Sequence, residues 1–173
     1  MPCRYRPSLA GFVAEAVMTG SIRVTVDGRP VELDCAGDDT LLEALRDFAE
    51  IDGLSSGCLI GLCGTCTLLL DGRPVRPCAV TAGEARGKAI TTMAGLSGTE
   101  LGRALNQAWS ELQVSPCGQC AAGQMLASAA LLASDPAPAD EDVDAVLGEH
   151  VCDCRDRGDP RAAVRLAVRL LRG

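Results

Sequence analysis

The sequence has 173 residues, a formal net charge of -7 and 47% hydrophobic residues, of which few are aromatic. This acidic composition, without a basic stripe before the last predicted helix, argues against a nucleic-acid partner or an anionic membrane surface. No apolar run reaches the roughly eighteen residues of a membrane span, so we expect a cytoplasmic protein. The surplus of small aliphatic side chains predicts that part of the surface contacts another protein.

Residues 1–19 are predicted to be an N-terminal extension, or sequence upstream of a true start at Met18. Two arginines precede a short apolar patch, as in an export signal, but Glu15 interrupts the patch and no clear cleavage site follows it. Cys3 lies in this stretch and is predicted to bind no metal.

A β-hairpin and a helix are predicted for residues 21–48. Apolar and polar residues alternate up to Asp27-Gly28, which is a typical hairpin turn. Thr40-Leu41-Leu42-Glu43 has the capping-box pattern, and the apolar residues after it have helical spacing. Cys35, at the end of the second strand, is predicted to be a small core residue rather than a ligand.

The next stretch, residues 57–78, holds four cysteines at the spacing C-x4-C-x2-C-x11-C. The opening of this pattern matches plant-type ferredoxins, whereas zinc sites more often pair one C-x2-C with a second such pair or with histidines. Glycines between the cysteines let backbone N–H groups approach inorganic sulfides. We therefore predict a [2Fe–2S] cluster rather than zinc or a chance group of thiols. The predicted ligands are Cys58, Cys63, Cys66 and Cys78, and the predicted backbone contacts are Gly57, Gly61 and Gly64.

A second hairpin is predicted around Asp71-Gly72, with a strand at residues 67–70 before the turn. Two hairpins with a crossing helix around a metal loop suggest the β-grasp fold. The glycine-dotted stretch 79–98 is predicted to hold the connection to a second domain. The expected division is a β-grasp domain at residues 20–95 and a helical domain at residues 96–173.

The second domain is predicted to be a bundle of four helices. The first helix has an apolar stripe of Leu101, Leu105, Ala108 and Leu112, with Trp109 beside it. Ser115-Pro116 has the pattern of an N-cap and first residue of a helix that runs to about Ala133. The last two helices are predicted at Asp140 to Gly148 and from Asp159-Pro160 to Leu171.

A second set of cysteines has the spacing C-x2-C-x31-C-x-C and consists of Cys117, Cys120, Cys152 and Cys154. At the start of a helix, free N–H groups and the helix dipole stabilise thiolates and an anionic cluster. The alternatives are a dithiol redox pair or a four-thiolate zinc site. The only histidine, His150, is predicted to be a surface or interface side chain, and a Rieske centre would need two histidines.

Ten cysteines in one chain also allow a secreted disulfide scaffold, but such scaffolds need an export signal and are usually shorter. Two all-thiolate clusters without a phosphate-binding loop, a dinucleotide motif or a Ser/His/Asp set indicate electron relay rather than catalysis by this chain.

Residues 20–157 resemble the small iron–sulfur subunit of the molybdenum hydroxylases, the family of xanthine dehydrogenase, aldehyde oxidoreductase and aerobic carbon monoxide dehydrogenase. The resemblance rests on the order of the two cysteine sets and on short matching motifs. These motifs are Val26-Asp27-Gly28-Arg29-Pro30-Val31, Leu45-Arg46-Asp47, Cys63-Gly64-Thr65-Cys66-Thr67, Asp71-Gly72-Arg73-Pro74-Val75, Ile90-Thr91-Thr92, Gly95-Leu96, Cys117-Gly118-Gln119-Cys120 and Cys152-Asp153-Cys154.

The resemblance implies a cluster nearer the flavin in the β-grasp domain and a cluster nearer the molybdenum in the helical domain. It also implies a large molybdopterin subunit and a medium FAD subunit, in a heterotrimer or a dimer of heterotrimers. The chain would then serve as the electron-transfer subunit of an oxidoreductase complex. The alternatives are a two-cluster relay in a divergent complex without a standard molybdopterin site, and a zinc-bound structural or interaction subunit.

The helical half departs from the family pattern near the second cysteine set. Pro116 stands where the family usually has a glutamine that can bond the pterin, and Gln119 stands where an aromatic residue is common. Asp153 replaces a common arginine. These departures put the usual pterin contact in doubt, and Gly118 and Gln119 are predicted to contact the cofactor or the partner instead.

Overall fold

The computed structural model describes residues 20–48, 51, 54–115, 118–151 and 158–173, so Cys3 and the rest of residues 1–19 lie outside the described residues. Within them the chain forms an α+β fold, as predicted. The strands are β1 Gly20–Val26, β2 Arg29–Cys35, β3 Leu68–Leu70, β4 Arg73–Val75 and β5 Ala89–Thr91. The helices are α1 Leu41–Phe48, α2 Met93–Ser97, α3 Glu100–Glu111, α4 Ala121–Ser134, α5 Asp140–Gly148 and α6 Pro160–Arg172.

Both predicted hairpins are present, and both turn on an Asp-Gly pair. Asp27 (φ 49°) and Gly28 (φ 80°) join β1 to β2, and Asp71 (φ 50°) and Gly72 (φ 78°) join β3 to β4. Positive φ at both central residues is the conformation of a type I′ turn, whose twist matches that of the flanking strands. Each Asp-Gly pair therefore fixes the register of its hairpin.

The sheet has the strand order β2-β1-β5-β3-β4, so the central strand is β5. It pairs in parallel with β1 and antiparallel with β3. The sequence does not predict this strand, because it has three residues in the stretch 79–98 where a connection was expected. Helix α1 packs against β2, which completes the β-grasp arrangement of two hairpins and a crossing helix.

Strand β3 is buried on both faces. Leu68 and Leu70 lie in the core between the sheet and α1, whereas Leu69 lies in the core of the helical half. Successive side chains of a strand point to opposite faces, so an unbroken Leu-Leu-Leu strand indicates a sheet covered on both sides. Helix α4 provides the second cover, because it packs against β3 and β4.

The four longer helices predicted for the second half are confirmed as α3 to α6. Asp159 caps α6 by accepting hydrogen bonds from the N–H groups of Arg161 and Ala162, as its position before Pro160 suggests. In the predicted stripe on α3, Leu105 and Ala108 are buried and Leu101 is partly buried, whereas Leu112 follows the helix and is 38% exposed. Among the described residues, no helix combines the length and the apolarity that crossing a bilayer requires.

The predicted start of α4 is wrong. Ser115 has a left-handed backbone (φ 48°) instead of the extended backbone of an N-cap, and the helix begins at Ala121 with Cys120 as its N-cap. The backbone N–H of Gly118 donates to the Ser115 carbonyl oxygen at 2.9 Å. The helix therefore begins at Ala121 and not at Pro116, where the Ser-Pro pattern predicted its first residue.

Candidate metal centre

The structure brings together all four cysteines of the first predicted set. Cys66 Sγ and Cys78 Sγ are 3.4 Å apart. The backbone N–H of Cys58 donates to Cys63 Sγ, and the backbone N–H of Cys63 donates to Cys58 Sγ, each at 3.3 Å. The N–H of Gly61 donates to Cys78 Sγ at 3.3 Å and joins the two pairs.

The conformation of the loop directs these N–H groups toward the sulfurs. Leu59 (φ 61°), Gly61 (φ 75°) and Gly64 (φ 74°) have left-handed backbones, which curl the chain between the first and third cysteines. Leu62 also donates its backbone N–H to Cys58 Sγ, at 3.3 Å. Such donors stabilise the negative charge of thiolates and of the cluster that thiolates hold.

The three predicted glycines leave room for different neighbours. A Cβ atom at Gly57 would lie 2.5 Å from Cys63 Sγ, so this glycine allows close approach to a ligand sulfur. A Cβ atom at Gly61 would lie 2.9 Å from the Ala79 side chain, and one at Gly64 would lie 2.6 Å from the His150 ring. Gly64 therefore serves the packing of the loop against the helical half.

The four thiols differ in their surroundings. Cys58 is exposed, and N–H groups of Ile60, Cys63 and Leu62 lower the pKa of its thiol to about 6. Cys66 is buried, and burial raises the pKa of its thiol to about 11. Cys35 lies in the sheet core with 1% exposure, as predicted, and its pKa is raised mainly by burial.

Four thiols are the donor set that a [2Fe–2S] cluster takes, and the backbone N–H groups around their sulfurs suit its negative charge. Cys35, Cys58, Cys63, Cys66 and Cys78 form no disulfide, which argues against a disulfide scaffold in this part of the chain.

Only one predicted ligand of the second set, Cys120, lies among the described residues. Cys117, Cys152 and Cys154 lie outside them, as do Pro116 and Asp153. Cys120 is buried at the N-cap of α4, and its Sγ lies 3.1 Å from Ser115 Oγ. Gly118 and Gln119 precede it and are exposed.

The segment before Cys152 packs directly on the first cysteine loop. The backbone N–H of Val151 donates to the Cys63 carbonyl oxygen at 3.0 Å. Arg76 donates to the carbonyl oxygens of Gly61 (3.0 Å) and Glu149 (2.8 Å) and thereby links loop and segment. We call these contacts, together with His150, the loop junction.

His150 was predicted to be a surface or interface side chain, and the surface alternative is wrong. Its side chain is buried in the loop junction, with Nδ1 3.2 Å from the Val146 carbonyl oxygen and Nε2 3.4 Å from Thr67 Oγ1. The pKa of the imidazole ring is lower than that of a free histidine, mainly because the ring is buried. A single histidine outside any periodic pattern gives no sequence signal of this position.

Models of two protein families match the chain. One, described as a 2Fe-2S iron-sulfur cluster binding domain, matches residues 24–94, and the other, described as a [2Fe-2S] binding domain, matches residues 92–165. The sequence is 34% identical over 151 residues to a nicotinate dehydrogenase subunit of Pseudomonas putida, covering 87% of this chain and 96% of that protein. It is also 34% identical to a probable xanthine dehydrogenase subunit of Bacillus subtilis, over 83% of each chain.

The fold comparison agrees with the sequence comparison. The crystal structure of quinoline 2-oxidoreductase from Pseudomonas putida 86 contains a chain that superposes with a TM-score of 0.78 at 32% identity, covering 89% of this chain and 97% of that chain. The chain belongs to the small iron–sulfur subunits of the molybdenum hydroxylase family.

As a small iron–sulfur subunit, the chain has two distinct [2Fe–2S]-binding domains, and each matched range contains one of the two cysteine sets. Its relatives are subunits of dehydrogenases, so the chain is part of an oxidoreductase complex, as predicted. Sequence patterns did not identify Ser115 and His150 as residues of the site, although Ser115 contacts Cys120 and His150 contacts Thr67 of the first cysteine loop. They also did not identify Gln124, which contacts Ser115.

Proposed function

We propose that this small subunit relays electrons through two [2Fe–2S] clusters, from a molybdenum–pterin centre in a large subunit to FAD in a medium subunit. Such a cluster, when bound, accepts and passes on single electrons. The chain itself holds the clusters and supplies the docking surfaces. A cytoplasmic location remains a prediction.

The hydrogen bond between Val151 and Cys63 is the observation that carries the proposal. Val151 precedes Cys152, a proposed ligand of the second cluster, and Cys63 is a proposed ligand of the first. Their backbone hydrogen bond at 3.0 Å therefore joins the residue before Cys152 to a proposed ligand of the first cluster. A structural subunit without electron transfer would not need this link.

The proposed ligands are the four cysteines of each set, and the proposed division into domains is 20–95 and 96–173. Convergence of Cys58, Cys63, Cys66 and Cys78 supports the first ligand set. The burial of Cys120 at a helix N-cap supports the second, because free N–H groups there favour a thiolate.

The loop of the first site has an apolar surface that suits a partner subunit. Leu59, Ile60 and Leu62 are exposed residues (56%, 68% and 63%), although the N–H groups of Ile60 and Leu62 donate to Cys58 Sγ. Exposed apolar residues in a contiguous patch commonly mark a protein interface. We assign this surface to the FAD subunit, because it covers the cluster that the resemblance places nearer the flavin.

Metal and cofactor analysis of the native complex tests the proposal. A tagged chain purified from its own cells should contain about four irons, because each [2Fe–2S] cluster has two. It should co-purify with one subunit that carries molybdopterin and another that carries FAD. Stoichiometric zinc in place of iron would contradict the electron relay, and iron without molybdenum or FAD would contradict the proposed partners.

Gln119 is proposed to contact the molybdopterin subunit or its cofactor, because it is exposed and adjacent to Cys120. Gln119→Leu keeps the approximate size of the side chain and removes both a donor and an acceptor. We expect the Kd for the large subunit to rise about tenfold, which corresponds to about 1.4 kcal/mol. Gln107→Leu, the same change at an exposed position of α3, is the control and should leave the Kd unchanged. Equal affinities of the two variants would show that Gln119 makes no such contact.

A further inference from the structure

Three polar side chains form a buried chain beside the second cysteine segment. Ser115 Oγ lies 3.1 Å from Cys120 Sγ and 3.2 Å from Gln124 Oε1. Ser115, Cys120 and Gln124 are 2%, 2% and 3% exposed. Buried polar groups are rarely kept without a reason, since an unpaired one costs about 1–3 kcal/mol.

As placed in the structure, Cys120 donates to Ser115 Oγ and the Ser115 hydroxyl donates to Gln124 Oε1. A sulfur bound to iron has no proton and only accepts. With iron on Cys120, the Ser115 hydroxyl would therefore donate to Cys120 Sγ, and a Gln124 amide rotated about its last torsion would donate its NH₂ group to Ser115 Oγ.

We propose that Gln124 and Ser115 form a hydrogen-bond relay that ends on Cys120 Sγ and raises the reduction potential of the second cluster. This inference rests on the proposed function, in which Cys120 is a ligand. The two residues act as positioning residues, since they reach the iron only through the cysteine sulfur. Ser115 itself has a left-handed backbone (φ 48°).

The direction of the effect follows from charge. Reduction adds one negative charge to the cluster, and a donor hydrogen bond to a ligand sulfur stabilises the more negative state. Removal of the Ser115 hydroxyl should therefore favour the oxidised state. We expect a tenfold change in the ratio of reduced to oxidised cluster at fixed potential, which corresponds to a decrease of about 59 mV for one electron.

The test is a redox titration of the purified complex, monitored by electron paramagnetic resonance of the reduced clusters. Ser115→Ala and Ser115→Gly both remove the hydroxyl, and glycine also accepts the positive φ without strain. Both should lower the potential of the second signal and leave the first unchanged. Gln124→Met keeps a similar length and should shift the same potential by a smaller amount, since it removes the more distant member.

Ser128→Ala is the matched control, because Ser128 is a buried serine of α4, the helix that carries Gln124, and its Oγ has no hydrogen-bond partner among the described residues. It should leave both potentials at the wild-type value. If the reduction potential of the second cluster were unchanged in both Ser115 variants, the relay would be overturned. The proposed function would still be supported if the wild-type complex showed two iron–sulfur signals. A wild-type complex with only one iron–sulfur signal would overturn both.

Discussion

Replacement of Cys63 by serine should remove one of two iron–sulfur signals and reduce the iron content from about four to about two per chain. Serine offers a hard oxygen where the cluster requires a soft thiolate. It would also weaken the contacts of this sulfur, which accepts the Cys58 N–H at 3.3 Å and lies 3.3 Å from Thr65 Oγ1. The measurements are iron analysis and electron paramagnetic resonance of the reduced protein.

The signal of the second cluster should persist in this variant, because the proposed ligands of that cluster lie in the other matched domain. That domain has its own hydrophobic core. The backbone bond from Val151 to Cys63 does not depend on the side chain that is changed. Cys35→Ala is the control, since Cys35 is a buried core cysteine outside both sets. Retention of both signals in Cys63→Ser, or loss of one in Cys35→Ala, would contradict the assignment of ligands.

The parts of the fold that the sequence predicts are those governed by local patterns. Both Asp-Gly turns, the capped α1 and the last two helices depend on contacts between near neighbours. Strand β5 depends instead on two strands that lie far away in sequence, β1 and β3. Three residues are too few for a periodic pattern, so tertiary pairing determines this strand.

For the candidate site, too, the sequence predicts only the residues that a local pattern marks. Spacing identified the four cysteines of the first loop because the cluster constrains them directly. The Ser115-Pro116 pattern predicted a helix start, but α4 begins at Ala121, and the Ser115 side chain instead contacts Cys120. His150 contacts Thr67, which is far away in sequence, and no local pattern marks such a contact in a single sequence.

The loop junction depends on close approach of the two halves at Gly123, in the first turn of α4. A Cβ atom at this position would lie 2.3 Å from the Gly64 carbonyl oxygen and 3.2 Å from His150 Cδ2. The nearer contact is with backbone of the cluster loop, which cannot move aside as the end of a flexible side chain can. Helix α4 therefore approaches the loop closely only because residue 123 has no side chain.

Gly123→Ala should consequently destabilise the protein, although alanine is normally better than glycine in a helix by about 0.5–1 kcal/mol. Overpacking against a rigid neighbour costs about 1–3 kcal/mol, so we expect a net loss of roughly 1–2 kcal/mol. For a chain of this size this loss corresponds to a decrease in Tm of about 2–8 °C, measurable by far-ultraviolet circular dichroism.

Gly148→Ala is the matched control, because Gly148 ends α5 and a Cβ atom there would meet nothing within 4 Å. This variant should be as stable as the wild type or slightly more stable, since alanine restricts the unfolded chain. A Tm of Gly123→Ala at or above that of Gly148→Ala would show that α4 can move away from the loop without cost. The contact between Val151 and Cys63 would then not be held rigidly, and electron transfer between the clusters would have to tolerate a variable distance.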